Sequence, residues 1–405
     1  MKRAATLAMI FLLSCPPSPD SVALAYTRDS TIPTAGGCPQ IDRWNAAGGV
    51  QVNRRWSTAL PGTNVILTAN MSSESAELAE IGQAISDSFS AWTGVSGTTL
   101  NAATFPNAFS PLGETTAVNA CTNDAETNVD GLNTICFDQA SAGFTSGVLA
   151  FTRVITANAP GVTEGASGPA AFAGQILDAD TLLRPDGQVQ FATPAALATP
   201  AGQGAYDLES ILTHELGHWM GLDHSAVMRA MMFPFAPPPG EYTGTRPSAG
   251  APDAPLADDD RTGLRSVYPD PNDAVNIGTI AGVLLPANAF SLATIPSPAA
   301  GESVTGIFGG HVVAVDAGTG AVIAGTLGGW SCSAAGTTQF DGSFVIERLP
   351  VGHNYWIYAE PLDGIATSGG FSTALGDLCS TNGITSCTTP GVNTNFNGRA
   401  MPAGP

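Results

Sequence analysis

The sequence predicts an α+β domain followed by a small all-β sandwich. Two helical patterns of apolar residues, at residues 76–92 and 208–219, are interleaved with short apolar segments that have the length of strands. From Asn276 onward only short alternating segments separated by glycine turns follow, and this period of two is typical of a half-buried sheet. We therefore expect a first domain of strands and helices, joined to a second domain built from strands alone.

Length and charge limit the class of protein. The chain has 405 residues, which is more than one domain usually contains, and 43% of them are apolar, which is ample for a packed core. The 34 acidic residues outnumber the 14 basic ones and give a net charge of −20. This charge argues against nucleic acids and anionic membrane surfaces as partners. The oligomeric state is left open.

The first 25 residues have the pattern of a secretory signal peptide. Lys2 and Arg3 precede an apolar run at residues 4–14, and an A-x-A cleavage site lies at residues 23–25. The apolar run is too short for a transmembrane span, so no span is predicted. As an alternative, residues 12–15 resemble a lipobox, which would make the protein a lipoprotein anchored through Cys15. Both interpretations place the protein outside the cytoplasm, and free secretion is the one we predict.

The cysteine count agrees with export. Apart from Cys15, the six cysteines are Cys38, Cys121, Cys136, Cys332, Cys379 and Cys387. An even number in an exported protein indicates disulfide bonds. Cys121–Cys136 and Cys379–Cys387 are the pairs nearest in sequence, but the connectivity stays open.

Five segments follow the predicted signal peptide. They are an irregular N-terminal extension at 26–50, the α+β domain at 51–270, a linker at 271–275, the β-sandwich at 276–366, and a Gly/Thr/Asn-rich tail at 367–405.

The α+β domain contains three predicted strands, at residues 64–70, 147–156 and 174–183. The helix predicted at residues 76–92 presents one apolar stripe that is typical of a core-facing surface. This stripe consists of Leu78, Ile81, Ile85, Phe89 and Trp92.

Three of the five histidines lie within eleven residues, and their spacing predicts a metal site. His214 and His218 are four residues apart, so both rings project from one face of a helix for which Asp207 is the expected N-cap. Gly221 lets the chain leave the helix, because glycine accepts the left-handed conformation that ends helices. The turn brings back His224 as a third ligand.

Three protein ligands leave one position open, which indicates a catalytic rather than a structural zinc ion. Glu215 lies one step round the helix, where it can act on water instead of binding the metal. The alternative is a chance H-E-x-x-H motif on a surface helix. The added glycine and third histidine argue against that alternative.

These residues resemble the H-E-x-x-H-x-x-G-x-x-H motif of the metzincin zinc peptidases, and the chain is most similar to the matrixin branch in its bacterial form. Ser225 follows the third histidine, as in matrixins, and residues 230–234 resemble the Met-turn. Met232 is then the expected methionine beneath the metal, in preference to Met231 and Met228. Further similarities are residues 130–135, 175–180 and the acidic start of residues 256–268, so the resemblance covers roughly residues 50–270.

The resemblance implies a metzincin-like catalytic domain, with a twisted mixed sheet and an active-site helix. It also implies a secreted, zinc-dependent endopeptidase with a protein or peptide substrate. In it, His214, His218 and His224 bind one catalytic Zn²⁺, and Glu215 is the general base that acts on zinc-activated water. Gly221 and Met232 support the ligands. Residues 236–254 would border a substrate pocket.

Other metal sites of the matrixins are treated separately. No further histidines are present in this region for a second, structural zinc, so none is predicted. Calcium is an optional further cofactor, with Asp124, Asp130, Asp178 and Asp180 as candidate ligands, and solvated turn carboxylates as the alternative interpretation.

The matrixin cysteine-switch motif is absent, although residues 36–39 faintly resemble it. Cys38 could hold the enzyme latent, but we favour a disulfide for this residue.

The C-terminal domain resembles the carboxypeptidase regulatory-like domain, a transthyretin-like β-sandwich. The strands are predicted at residues 278–283, 312–316, 340–346 and 349–355. His311 and His353 lie in this region and are interpreted as structural residues.

Two other functions stay open from sequence. The chain could be an exported binding or adhesion protein that uses an inactive metzincin scaffold, or a zinc hydrolase with a non-protein substrate. The intact Glu215 and complete histidine set argue against the first, and the Met-turn favours peptides over the second.

Overall fold

In the computed structural model of the chain, the structure describes residues 4–9, 28, 30–31, 33–45, 53–57, 65–66, 74–100, 110–112, 132–136, 144, 147–163, 169–184, 189–248, 250–286, 305–329, 331–332 and 338–360. Several predictions lie outside these residues: those for Cys15, Cys121, Asp124, Asp130, Cys379, Cys387 and the tail at 367–405. The side chain of Leu78 is also outside them.

The α+β part has eleven strands and four helices among the described residues. They are β1 (Ala4–Met9), β2 (Ser30–Thr31), β3 (Gln40–Ile41), β4 (Asn53–Ser57), β5 (Val65–Ile66), α1 (Glu74–Thr93), β6 (Ser110–Leu112), β7 (Leu132–Cys136), β8 (Ala150–Thr156), β9 (Ile176–Leu183), β10 (Phe191–Ala192), α2 (Pro194–Leu197), β11 (Tyr206–Asp207), α3 (Leu208–Trp219) and α4 (Asp258–Val267). None of these described helices is long and apolar enough to cross a membrane.

The main sheet is mixed, as predicted. Its described strands lie in the order β1-β8-β9-β7-β4-β6. Strands β9, β7, β4 and β6 run parallel, β8 runs antiparallel to β9, and β1 runs antiparallel to β8. All eight residues of β9 are buried, as expected for a strand covered on both faces. β1 lies in the segment predicted to be a signal peptide, and its removal stays a prediction.

Helices α1 and α3 contact each other, and α3 contacts β8 and β9. The apolar stripe of α1 is buried at its described positions, and the ring of Phe89 meets that of Trp219 edge-on, with 5.5 Å between the centroids. Trp92 Nε1 donates to the carbonyl of Thr213 at 2.8 Å, and Trp219 Nε1 donates to Thr181 Oγ1 at 2.8 Å. Helix α3 is therefore fixed between α1 and β9.

The C-terminal part is all-β within the described residues. Its strands are β12 (Ile277–Val283), β13 (Gly310–Asp316), β14 (Val322–Gly328), β15 (Ser331–Cys332), β16 (Thr338–Gln339), β17 (Ser343–Pro350) and β18 (Tyr355–Glu360). Strand β12 pairs with β17, β13 lies between β14 and β18, and β15 pairs with β16. A transthyretin-like arrangement of these sheets stays a prediction.

The strand predicted at residues 349–355 is wrong, because a turn interrupts it. Strand β17 ends at Pro350, Gly352 adopts a φ of 85°, and β18 begins only at Tyr355. Such a positive φ requires a turn that favours glycine. The apolar residues on either side of the turn belong to two different strands.

The N-terminal extension connects the two parts of the chain. A disulfide joins Cys38 to Cys332, which is 294 residues away. Since this bond engages the thiol of Cys38, the latency alternative for Cys38 is wrong in this structure, and the favoured disulfide is present. The buried Arg28 reaches Glu347 in β17, with 3.4 Å between Nη1 and Oε2. Cys136 is likewise disulfide-bonded.

Candidate metal centre

Helix α3 places the first two histidines on one face. Its N-cap is Asp207, whose Oδ1 accepts from the backbone N–H of Ser210 at 3.1 Å. All twelve residues of α3 are buried. The helix ends at Trp219, and the chain turns away at Gly221, which has a φ of 84°. A Cβ atom there would lie 2.1 Å from the carbonyl oxygen of Asp42, so this turn accepts only glycine.

The structure brings His214, His218 and His224 together. One ring nitrogen from each lies within 4.8 Å of the other two, and the ring centroids are 5.0 to 5.3 Å apart. All three side chains are buried. Among the described residues, no other group of three or more histidines, cysteines or carboxylates has this arrangement.

Backbone carbonyl groups orient two of the rings. His214 Nδ1 lies 2.6 Å from the carbonyl oxygen of Met231, and His218 Nδ1 lies 2.6 Å from that of Leu222. A carbonyl oxygen only accepts, so each Nδ1 carries the proton and each Nε2 keeps a lone pair. The Nε2 atoms of these two residues are buried and have no hydrogen-bond partner among the described residues. This donor set fits a zinc ion, because a histidine ligand donates its other N–H to such a partner.

Burial also keeps these rings in the state that binds metals. It lowers the pKa of His214 to about 4, and it lowers the pKa of His218 well below the usual value, with a further contribution from the neighbouring His214 and His224. The imidazoles are therefore neutral near pH 7, and neutral imidazole is the form that ligates a metal.

Glu215 is fully buried beside this triad. Thr152 Oγ1 donates to Glu215 Oε2 at 2.8 Å, whereas Oε1 has no hydrogen-bond partner among the described residues. Burial raises the pKa of Glu215 to about 8, and the bond from Thr152 opposes this shift. A neighbouring metal cation would lower this pKa again. Thr152 thus holds Oε2 in place, and Oε1 remains available to accept a proton.

A directed chain of hydrogen bonds leads to Glu215. The carboxylate accepts from Thr152, so Thr152 Oγ1 accepts in turn from Thr181 Oγ1 at 2.8 Å. Thr181 accepts from the indole N–H of Trp219, which can only donate. Every proton in the chain therefore points towards the carboxylate.

Met232 lies against α3 between the first two histidines. A Cβ atom at Gly217 would lie 2.1 Å from Met232 Sδ, so this contact needs glycine at that position. Met231 is also buried, and its carbonyl group holds His214, whereas Met228 is 76% exposed. Met232 is thus the methionine that lies against α3, and its role beneath a bound metal stays a prediction.

Asp260 of α4 holds the Met-turn. Its fully buried carboxylate accepts from the backbone N–H groups of Met231 at 2.7 Å, Met232 at 3.0 Å and Ala257 at 2.7 Å. Because the carbonyl group of Met231 in turn orients His214, Asp260 acts on the orientation of this ring through one residue. Burial raises the pKa of Asp260 to about 6 despite these three bonds.

The neighbouring Asp259 is also fully buried and has two partners. Its Oδ2 accepts from Ser225 Oγ at 2.6 Å, and its Oδ1 accepts from the backbone N–H of Gly325 in β14 at 2.7 Å. Burial and the adjacent Asp260 raise the pKa of Asp259 to about 7.

Sequence reasoning missed Thr152, Asp259 and Asp260 as site residues. The acidic start of α4 gave a signal for the two aspartates, since consecutive carboxylates that become buried need partners. Thr152 gave none, because it lies 63 residues before Glu215.

A second polar cluster lies at the start of α3. Arg246, in the loop after the Met-turn, pairs with Asp207 and lies 3.3 Å from Glu209 Oε2, and Tyr242 donates to Glu209 Oε1 at 3.1 Å. Burial raises the pKa of Glu209 to about 7. These contacts tie the loop at residues 236–254 to the helix that carries the histidines.

The remaining candidate residues do not belong to the group formed by the three histidines. Asp180 Oδ1 accepts from the backbone N–H of Thr134 at 2.7 Å, so this oxygen is engaged in a hydrogen bond to the neighbouring strand. Asp178 is buried in the same strand as Asp180. Calcium binding stays a prediction. His311 pairs with Glu360 at 3.0 Å, and His353 pairs with Asp316.

Comparison with known proteins points to the same region. The matrixin family model matches residues 124–269, a little over a third of the chain. Metalloendoproteinase 1 of Glycine max is 41% identical over 64 residues. That match covers 16% of this chain and 17% of the relative, so the chain spans about a sixth of the relative's length. The family match includes all three histidines, and both findings support a matrixin-like metalloendopeptidase.

Proposed function

We propose that the protein is a secreted zinc-dependent endopeptidase, in which His214, His218 and His224 hold one zinc ion and Glu215 is the general base. The observation that carries this proposal is the convergence of three buried histidines beside a buried carboxylate that keeps one oxygen without a partner among the described residues. The matrixin match around the same residues supports a peptide as the substrate.

The residues of the chain have distinct tasks in this proposal. Bound zinc would supply a Lewis acid that polarises the peptide carbonyl and makes water more acidic. Glu215 takes a proton from the attacking water at Oε1 and delivers it to the leaving amine. Thr152 holds the other oxygen, so the carboxylate keeps its direction through both transfers. The carbonyl groups of Met231 and Leu222 keep the rings of His214 and His218 aligned.

The edge of the sheet beside Glu215 suits an extended substrate. Strand β8 carries Thr152, and it becomes an edge strand if residues 1–25 are removed. In the structure this edge already accepts a strand, because β1 pairs along it from Ala4 to Met9. A peptide could add to the same edge through main-chain hydrogen bonds, which recognise an extended chain with little demand on sequence.

Export is part of the proposal. The Cys38–Cys332 bond and the disulfide-bonded Cys136 support it, because such bonds persist mainly in oxidising compartments. Mass spectrometry of the N-terminus of the exported protein tests this point. We expect a chain that begins at Tyr26, whereas a lipid on Cys15 would replace free secretion by anchoring.

A paired assay on the purified chain from Tyr26 onward tests the activity. Zinc content is measured by mass spectrometry, and cleavage of casein is followed with and without a chelator. We expect one zinc ion per chain and cleavage that the chelator abolishes. Zinc without cleavage of any peptide would favour the binding-protein alternative, and the absence of zinc would overturn the proposed site.

A further inference from the structure

We infer that the C-terminal β domain is needed to form the metal centre. One carboxylate, that of Asp259, accepts hydrogen bonds both from β14 and from the residue that follows the third histidine. Its two oxygens accept from Gly325 N at 2.7 Å and from Ser225 Oγ at 2.6 Å. The side chain of Asp259 is 0% exposed, so solvent does not replace either partner.

Ser225 connects Asp259 to the residues of the proposed metal site. It directly follows His224, and its backbone N–H donates to the carbonyl of Met232 at 2.8 Å. Its hydroxyl group donates to Asp259 and accepts from the backbone N–H of Val227 at 3.0 Å. Ser225 thus joins the third ligand, the Met-turn and the start of the intervening loop, and Asp259 holds Ser225.

The contact between β14 and this loop is too close for a side chain at position 325. A Cβ atom on Gly325 would lie 2.9 Å from Val227 Cγ2 and 2.3 Å from His311 Nε2. Both neighbours are buried, so neither can move into solvent without opening the interface. Glycine therefore allows the backbone of β14 to reach Asp259.

An independent contact connects the β domain to the second ligand. The backbone of Arg28 pairs with that of Leu222, whose carbonyl group orients His218. The guanidinium group of Arg28 is buried; its Nη1 donates to Ser266 Oγ at 2.9 Å and lies 3.4 Å from Glu347 Oε2 in β17. The β domain is therefore connected through Asp259 to the segment that follows His224, and through Arg28 to the segment that orients His218.

Gly325, Asp259 and Ser225 are positioning residues in this account, since they act on His224 and touch no substrate. The inference rests on the proposed function only for the binding of a divalent metal at the triad. It makes the β domain necessary for a well-formed metal site, rather than a module that only tethers the enzyme to a substrate or surface.

The test uses the full chain from Tyr26 with the variants Gly325→Ala, Asp259→Asn and Ser225→Ala. Zinc Kd is measured by competition with a chromogenic chelator, and the Co²⁺-substituted proteins are compared by visible absorption. We expect each variant to raise the zinc Kd by about 10- to 100-fold, as expected for residues that orient a ligand. We also expect altered Co²⁺ bands, which a loss of stability alone would not produce in the folded fraction.

Gly278→Ala is the matched control, because it adds the same methyl group in β12, where the nearest atom is Val351 Cγ1 at 3.7 Å. This control should leave the zinc Kd and the Co²⁺ spectrum unchanged. The double variant Gly325→Ala with Ser225→Ala should be no worse than the more severe single variant, because both act through Asp259.

The outcomes separate the two proposals. If the unaltered protein binds no metal, the proposed function fails. If it binds zinc and cleaves peptides while Gly325→Ala keeps the same Kd and Co²⁺ spectrum, the β domain is independent of the site and the inference is overturned. Should Gly325→Ala fail to fold, Asp259→Asn decides in the same way, since it changes one atom of the shared carboxylate.

Discussion

Thr152 Oγ1 donates a hydrogen bond to Glu215 Oε2 across 63 residues of sequence, with 2.8 Å between the two oxygens. Because the carboxylate accepts this bond, the hydroxyl oxygen of Thr152 is left to accept from Thr181, which in turn accepts from the indole N–H of Trp219. Strand β8, which would become the sheet edge if residues 1–25 are removed, therefore also orients the proposed base.

Removing this donor should impair catalysis without removing the metal. We expect Thr152→Val, which has nearly the same shape, to lower kcat/KM by about tenfold or more, because Glu215 loses its fixed oxygen. Thr152→Ser keeps the hydroxyl group and should remain close to the unaltered protein. Steady-state kinetics with a quenched fluorescent peptide checks both variants, and equal rates for the valine and serine variants would contradict the role of the bond.

Glu215→Gln should retain zinc and lose activity. The amide keeps the size of the side chain but cannot take the proton from water, so turnover should fall by at least about 100-fold. Metal analysis and casein cleavage on the same sample measure the two effects. Normal turnover in this variant would show that another group is the base.

His224→Ala should weaken zinc binding, because it removes one of three protein ligands. His353→Ala is the matched control, since the side chain of that histidine is half-exposed and pairs with Asp316 rather than with any residue of the triad. Competition with a chelator should give a higher zinc Kd for the first variant alone. Full zinc occupancy and activity in His224→Ala would place the third ligand elsewhere.

Glu209 should make the stability depend on pH. Its folded pKa of about 7 lies above the usual value of 4.5, because burial disfavours the charge. Between these values the folded state binds more protons than the unfolded state, so stability falls as the pH rises through this window. A shift of this size corresponds to about 3 kcal/mol.

The amide of Glu209→Gln does not titrate, so this variant does not lose stability through this window as the unaltered protein does. The free energy of unfolding of the variant minus that of the unaltered protein should therefore increase from pH 4.5 to 7 and then level off. Denaturant titrations at several pH values measure this difference. Glu241→Gln, at an exposed position, is the control. A difference that stays constant with pH would show that Glu209 does not titrate in this window.

The parts that could be predicted from sequence are those that depend on neighbours in the chain. The spacing within residues 214–224 and the helical periodicity of α1 and α3 are local properties, and the structure has both helices close to the expected positions. The boundary between β17 and β18 was not predictable from alternation, because the turn at Gly352 lies between two apolar segments.

The contacts that complete the site could not be predicted, because they join distant segments. Thr152 meets Glu215 only through the pairing of β8 with the rest of the sheet, and Asp259 meets Gly325 across 66 residues. Such pairings depend on tertiary packing, for which one sequence gives no periodic signal.

The Cys38–Cys332 bond closes a covalent ring that contains α1, α3, α4 and the whole histidine triad. A single cut in the chain anywhere between these two cysteines, for example in the loop at residues 236–254, opens the ring without releasing a fragment. A molecule cut once in this way keeps both pieces joined through the Cys38–Cys332 bond. Such damage would become visible on a gel only after reduction.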